Sequence, residues 1–358
     1  MADIDPGNTD LVKRERRLFT NLSRLPLQVF TLRANQEWSW PEGFADARYA
    51  DTAYLPYVLQ RLQIRGYDAE PITSVYSYTF AEVDGDWLII SDDDVTDQAG
   101  QASGTLPWDV ADIRVHRTPN TLGIFDAGTD GSAERVMAWA EESVRRVRAD
   151  VPRGSPGKVV FYALSDDQLL QDMGERYLSF GAVAFPVLDH SMWPDHVAST
   201  RVVINPTALP RNRWEGVRLL SHEITHVALA RSSDTTPAWL QEGLAEYVST
   251  RGADPALWWP SPSAMAAARD GISELPRSTF FGDKEPELDY DLSLAGCAVI
   301  AATYGEDRLW DFLAKVDRAS RADGDGDGHV DEVLQSMFGL NQTTLARKAG
   351  AFILRRAY

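Results

Sequence analysis

The chain has 358 residues, of which 44% are hydrophobic and 25% are charged, so its composition is that of a folded globular protein and excludes wholesale disorder. Acidic residues outnumber basic ones by 53 to 35, and the resulting net charge of −18 argues against a nucleic acid as the principal partner, because each phosphate contact needs a cation. Cys297 is the single cysteine, which excludes an internal disulfide, and no apolar run reaches the ~18 residues that span a membrane.

The first third of the chain is predicted to form a helix and an antiparallel sheet. Leucines at helical spacing predict an amphipathic helix over residues 8–24, and an alternation typical of strands follows, most clearly at residues 74–80. Asp84-Gly85 then stands between two apolar strands, which is a strong signal for a hairpin. A helix followed by a curved antiparallel sheet is similar to the nuclear-transport-factor-2-like (NTF2-like) fold, and we expect residues 1–115 to form an accessory α+β domain of that kind.

The remaining residues, 116–358, are expected to form a second α+β domain that is mostly helical at its C-terminal end. A polar stretch at residues 93–107 predicts a loop or linker before it. The periodicity predicts, in order, a hairpin at 113–125, a helix at 132–149, a strand at 158–163, a helix at 166–173, strands at 182–187 and 200–205, and helices from 211 onward.

A His-Glu-x-x-His motif, formed by His222, Glu223 and His226, lies in a segment whose apolar residues recur at helical spacing. At about 3.6 residues per turn, the two histidines stand one above the other on one helix face, where two imidazoles can bind one zinc ion. Glu223 is rotated by about 100° from His222, which is too far round to ligate the same ion but well placed to reach a catalytic water.

A second helix is predicted to begin near Pro237 and to carry Glu242 and Glu246, four residues apart, on one face. His-Glu-x-x-His followed by Trp-Leu-Gln-Glu-Gly-Leu-Ala-Glu-Tyr resembles the gluzincin metallopeptidases, in particular the bacterial peptidase-MA-like families. The resemblance implies a zincin-type catalytic domain with one zinc ion per chain, held by His222, His226 and Glu242. It also implies that Glu246 orients a ligand histidine. A His₂Glu donor set agrees with known catalytic zinc sites.

Two further parts of the chain acquire roles through the same resemblance. Val202, Val203, Ile204 and Asn205 correspond to the strand that borders the substrate cleft, where an exposed edge can take an extended peptide by strand addition. Tyr290 corresponds to a tyrosine that faces the metal and donates a hydrogen bond to the oxyanion. The chain lacks the Gly-x-Met-Glu-Asn motif with which related aminopeptidases bind a free N-terminus, so exopeptidase action is not implied.

A separate acidic stretch that includes Asp323, Asp325 and Asp327 copies the start of an EF-hand calcium loop. The twelfth position of such a loop needs a bidentate Glu and is Leu334 here. The sequence therefore predicts a weak calcium site or, as the alternative, an acidic turn between helices.

Together these patterns predict a zinc-dependent peptidase that acts on a peptide or protein, with Glu223 as the general base. The alternative is a zinc-bearing binding or scaffold protein on a peptidase fold, whose N-terminal domain recognises a partner. The resemblance favours an exported or surface-anchored bacterial protein, whereas the first residues carry charge without the apolar segment of a secretory signal. The sequence indicates no oligomeric state.

Overall fold

The computed structural model of the protein describes residues 4–39, 56–83, 85–92, 106–152, 155–191, 196–230, 235–251, 259–277, 286–323 and 328–356. The chain divides into two compact units, Met1–Met137 with Lys158–Leu209 and Ala138–Gly157 with Pro210–Tyr358. This division differs from the boundary that we expected between residues 115 and 116.

The described residues of the first unit form helices and three sheets. Its elements are α1 (Thr9–Arg24), β1 (Leu27–Ser39), β2 (Pro56–Ile64), β3 (Ile72–Ser77), β4 (Thr79–Val83), β5 (Asp86–Ser91), α2 (Pro107–Val110), β6 (Arg114–Arg117), β7 (Thr121–Phe125), the start of α3 (Ala133–Asp150), β8 (Val159–Ala163), α4 (Gln168–Met173), β9 (Ala182–Asp189) and β10 (His196–Ile204). The helices and strands expected from the periodicity are present, so the mixed α and β character is confirmed. The NTF2-like fold of the N-terminal part is not confirmed.

The alternating stretch at residues 74–80 is divided between two sheets at Tyr78. β3 belongs to the antiparallel sheet β1-β2-β3, whereas β4 pairs with β5 in a separate hairpin. The expected hairpin is confirmed, because Val83 pairs with Asp86. Gly85 has a φ of 88°, a backbone conformation that glycine adopts without a steric penalty.

A five-stranded sheet with the order β6-β7-β8-β10-β9 completes the first unit. β7, β8 and β10 are parallel, and β6 and β9 run antiparallel to their neighbours. β10 carries Val202, Val203 and Ile204 and has a paired strand on each side. The expectation that this strand offers an exposed edge is therefore wrong, because β8 and β9 already use its backbone groups and β9 takes the end position.

One apolar core connects the N-terminal elements to the five-stranded sheet, which explains why no division appears near residue 115. Leu22 of α1 and Ile64 of β2 are buried in the same cluster as Leu122 of β7 and Val160 of β8. Burial of such side chains contributes roughly 1.5–3 kcal/mol each, so separating the two parts would expose a substantial apolar area.

A buried ion pair joins the same two parts. The guanidinium of Arg201 on β10 binds the carboxylate of Asp68, which follows β2, and the two side chains are 3% and 0% exposed. Asp68 also accepts a hydrogen bond from the backbone N–H of Ile64 at 2.7 Å and one from the hydroxyl of Ser199 at 3.2 Å. Buried charges persist where they are paired and hydrogen-bonded in this way.

The described elements of the second unit are helices, as expected for the chain from residue 211 onward. They are the rest of α3, α5 (Arg213–Leu229), α6 (Ala238–Thr250), α7 (Pro262–Asp270), α8 (Pro286–Tyr304), α9 (Glu306–Asp323), α10 (Val330–Phe338) and α11 (Gln342–Arg356). α6 packs against both α5 and α8. Across the described residues, no helix combines the length and the apolar character needed to cross a membrane.

The contact between α6 and α8 is close because Gly243 has no side chain. A Cβ atom at this position would lie 2.7 Å from Sγ of Cys297 and 2.8 Å from the carbonyl carbon of Ser293, both on α8. Cys297 is fully buried, as expected for a structural thiol, and burial raises its pKa. Glycine at position 243 thus sets the distance between the two helices.

Candidate metal centre

Helix α5 presents the two motif histidines on one face. The helix begins after Asn212, whose side chain accepts a hydrogen bond from the backbone N–H of Glu215 at 3.0 Å and so satisfies one donor of the first turn. One turn of helix separates His222 from His226, and their Nε2 atoms lie 3.1 Å apart. Both imidazoles therefore direct the same ring nitrogen toward a common point.

Glu242 reaches this point from α6. Its Oε2 atom lies 3.2 Å from Nε2 of His222 and 3.4 Å from Nε2 of His226. Within the described ranges, these three residues are the group of His, Cys, Asp or Glu side chains whose donor atoms are close enough to hold one metal ion. The fold thus brings together the three residues that the sequence motifs single out as ligands.

Glu246 lies one turn further along α6 and connects two residues of α5. Its Oε1 atom is 3.0 Å from Nδ1 of His222, and its Oε2 atom accepts a hydrogen bond from Arg218 at 2.6 Å. Its position beside the second ring nitrogen of His222 is the one expected for a residue that orients this imidazole. No role was expected for Arg218 from the sequence, although its position four residues before His222 places it on the same helix face.

Burial and charge pairing shape the electrostatics of the centre. Burial alone would lower the pKa of His222, but the adjacent carboxylates of Glu242 and Glu246 raise this pKa well above its ordinary value. Burial opposes ionisation of the two carboxyls, yet the adjacent histidines, together with Arg218 for Glu246, lower the pKa of Glu242 and that of Glu246 to about 2. Both carboxylates are therefore anionic at neutral pH.

Glu223 and Tyr290 lie beside the same cluster. Glu223 is 5% exposed, and its charge acts on both His222 and Tyr290. The Tyr290 ring, on the first turns of α8, packs edge-on against the His222 ring, with 5.9 Å between the centroids. Burial and the nearby carboxylates raise the pKa of Tyr290, so the phenol remains protonated at neutral pH and can donate a hydrogen bond.

The predicted substrate-strand residues lie in the other compact unit and serve its packing. Val202, Val203 and Ile204 are at most 4% exposed within the five-stranded sheet. Asn205 is buried as well, and its side-chain amide donates hydrogen bonds to the carbonyl oxygens of Leu178 at 2.9 Å and Phe180 at 3.0 Å. These residues carry no feature of a peptide-binding edge.

The calcium prediction falls largely outside the described residues, to which neither Asp325 nor Asp327 belongs. Asp323 is the last residue of α9. Leu334, at the position that needs a bidentate Glu, is fully buried in α10, and Asp331 accepts a hydrogen bond from the backbone N–H of Gln342 at 2.6 Å. Both residues have structural roles, so nothing described here supports calcium binding.

Comparisons with known proteins yield distant structural likenesses. No model of a protein family matches the chain, and no curated protein matches it. A mutant of a two-domain M1 zinc metallopeptidase bound to L-arginine is 12% identical with a TM-score of 0.42, and another bound to L-tryptophan is 14% identical with a TM-score of 0.36. A mutant M1 zinc metallopeptidase from Deinococcus radiodurans, bound to a Tyr-Ser-Ala substrate, is 13% identical with a TM-score of 0.37. Each match covers 67% of this chain and 51% of the other, so the chain spans about half the length of these structures.

Proposed function

We propose that the protein is a zinc-dependent peptidase of the gluzincin type. The observation that carries the proposal is the convergence of three donor atoms from His222, His226 and Glu242, separated by 3.1, 3.2 and 3.4 Å. Two imidazoles and one carboxylate form the donor set of catalytic zinc sites, which leave the fourth position for water or substrate.

The donor spacing fits zinc. In a regular tetrahedral site with bonds of about 2.0–2.2 Å, neighbouring donors lie roughly 3.3–3.6 Å apart. The longest of the three separations, 3.4 Å between His226 and Glu242, falls in this range, and the others are shorter by about 0.1–0.2 Å. Ligation therefore needs only small side-chain shifts and no movement of α5 or α6.

The charge of the centre also fits a divalent cation. When the two histidines are neutral, as metal ligation requires, Glu223, Glu242 and Glu246 contribute three negative charges and Arg218 contributes one positive charge. All three carboxylates are buried, with 5–8% exposure, and burying unbalanced charge is costly. One divalent ion would neutralise the remaining two charges.

The side chains around the centre have separate roles in the proposed hydrolysis. Zinc, when bound, polarises the scissile carbonyl and makes the attacking water more acidic. Glu223 accepts a proton from that water as its oxygen attacks the carbonyl carbon, and delivers the proton to the amine when the carbon–nitrogen bond breaks. Tyr290 donates a hydrogen bond to the developing oxyanion, and Glu246 keeps His222 in its ligating orientation.

A buried acid adjacent to the ligands favours the enzyme over a zinc-bearing scaffold protein. A binding protein would use the two histidines and Glu242 but has no need for a base at Glu223. Burial of an additional carboxylate costs stability, so its presence next to the metal site is best explained by proton transfer. The proposed substrate is a peptide or protein, and no preference for chain ends is proposed.

The test is Glu223→Gln, with Glu215→Gln as a matched control on the exposed first turn of the same helix. We expect the parent and both variants to bind one zinc ion per chain by metal analysis. Turnover of an unbiased peptide library should stop when a chelator is added to the parent, and should fall by about 10²–10⁴-fold in Glu223→Gln alone. Equal turnover by parent and Glu223→Gln would contradict the mechanism, and tight peptide binding without turnover by the parent would favour the scaffold protein.

A further inference from the structure

Four side chains form a continuous row along α5. Trp214, Arg218, His222 and His226 follow one another at intervals of four residues, so each lies about one turn beyond the last along one inclined ridge of the helix. The guanidinium carbon of Arg218 stands 5.8 Å from the centre of the Trp214 ring. The row therefore runs from an aromatic ring, through a cation, to the two proposed metal ligands.

Glu246 joins the middle of this row from the facing helix by using its two oxygens for different partners. Oε1 lies 3.0 Å from Nδ1 of His222, whereas Oε2 accepts the hydrogen bond from Arg218 at 2.6 Å. Rotation of the carboxylate about its terminal bond would break the hydrogen bond to Arg218 and move Oε1 away from Nδ1 of His222. Arg218 thereby determines which oxygen faces His222.

We propose that Arg218 is a positioning residue of the metal centre, which fixes the Glu246 carboxylate and, through it, the orientation of the His222 imidazole. This inference rests on the proposed zinc-dependent function. Residues that hold a metal-ligating histidine through its second nitrogen typically affect metal affinity by about 10–100-fold. Arg218 acts one contact further from the metal and without touching it.

The surroundings of Arg218 strengthen its hold on Glu246. Side-chain exposure is 35% for Arg218 and 11% for Glu246, so water competes little for the carboxylate. The guanidinium also lies over the Trp214 ring, and a cation over an indole is attracted to the ring. An ion pair in this setting is stronger than an exposed one.

Arg218 donates to Glu246 through one guanidinium nitrogen, Nη2, and this determines how far a substitute side chain can replace it. Its Nε atom is buried and has no hydrogen-bond partner within the part of the chain that the structure describes. Lysine supplies a single cationic donor and should therefore preserve part of the effect. Methionine has a similar length and apolar stem but leaves Oε2 of Glu246 unpaired, so the carboxylate is free to turn away from His222.

The experiment compares Arg218→Met, Arg218→Lys and the control Arg213→Met. Arg213 lies on the same helix and forms an ion pair with Glu142 at 2.7 Å, outside the metal cluster. Zinc affinity is measured by competition with a chromogenic chelator, and the cobalt(II) absorption spectrum reports on ligand geometry without any substrate. Circular dichroism of the metal-free proteins shows whether each variant folds.

We expect Arg218→Met to fold, to bind zinc about 10-fold more weakly, at the low end of the range for direct partners of a ligand histidine, and to change the cobalt spectrum. Arg218→Lys should recover part of the affinity, and Arg213→Met should show none of these effects. Unchanged affinity and spectrum in Arg218→Met would overturn the proposal. Should Arg218→Met fail to fold, Arg218→Lys decides: a weakened affinity and an altered cobalt spectrum support the proposal, and parental values overturn it. Failure of the proposed function looks different, because the parent itself would then bind no zinc or would cleave without Glu223.

Discussion

A methyl group added at Gly243 tests whether the close approach of α6 and α8 supports the metal centre. Gly243 directly follows the proposed ligand Glu242. The Cβ of Gly243→Ala would lie 2.8 Å from the carbonyl carbon of Ser293 on α8, and closer still to its carbonyl oxygen. Ordinary contacts between heavy atoms need about 3.5–4.0 Å, so the helices must separate by roughly 1 Å. Because α8 carries Tyr290 and α6 carries Glu242, this separation changes the geometry of the site.

The expected magnitudes follow from the clash and from helix propensity. Forcing an extra methyl group into a packed interior costs about 1–3 kcal/mol, and replacing glycine by alanine within a helix returns up to about 1 kcal/mol. We therefore expect Gly243→Ala to lower the free energy of unfolding by about 0–2 kcal/mol. A misplacement of about 1 Å in an active site can reduce catalysis by about 10²-fold, so activity should suffer more than stability.

Gly296→Ala on the facing helix is the matched control. A Cβ there would lie 3.5 Å from the Trp239 ring and 3.6 Å from Leu275, which are ordinary packing distances. This variant should keep its zinc affinity and activity and be stabilised by up to about 1 kcal/mol. Urea unfolding gives the free energies, and chelator competition with peptide cleavage gives the functional effect. Parental stability, zinc affinity and turnover in Gly243→Ala would refute the packing argument.

Two further predictions concern the first compact unit. Arg201→Met leaves the buried carboxylate of Asp68 without its cationic partner and should lower the free energy of unfolding by about 3–5 kcal/mol. Arg65→Met, at an exposed site, should change the free energy of unfolding by less than about 0.5 kcal/mol. Similar values for the two variants in urea unfolding would contradict the role of the buried pair. Burial raises the pKa of Glu15 and that of Asp109 to about 7 and outweighs the hydrogen bonds and neighbouring arginines that lower them. The folded state therefore holds these protons more tightly than the unfolded chain, and their contribution to stability is lost as pH rises from about 4.5 to above 7. The parent should therefore lose more stability between about pH 5 and pH 8 than a Glu15→Gln, Asp109→Asn double variant, and equal losses would show that these carboxyls do not contribute.

Local geometry explains why the motif histidines and most elements were predictable. Two residues four apart on a helix share a face whatever the rest of the chain does, so His222 and His226 were expected together before any fold was known. The hairpin turn at Gly85 was equally local, since a glycine at this position permits the positive φ that the turn requires. The role of Glu242 as a third ligand was expected because the residues around it resemble a known family motif. The packing of α6 against α5 brings its carboxylate within 3.4 Å of the Nε2 atoms of His222 and His226.

Contacts between distant segments decided the rest, because they depend on which elements meet. Strand periodicity identified β10 but not its neighbours, and only pairing with β8 and β9 showed that it has no free edge. Composition suggested a boundary near residue 115, whereas a shared apolar core and the pairing of Arg201 with Asp68 join the parts on either side. The sequence by itself determined which chemical groups are present and which helix faces carry them. Tertiary packing decided that Oε2 of Glu246 contacts Arg218 and that Oε1 lies near His222. The reason is that the partner of a side chain on another helix depends on how the two helices approach each other and not on the local sequence around that side chain.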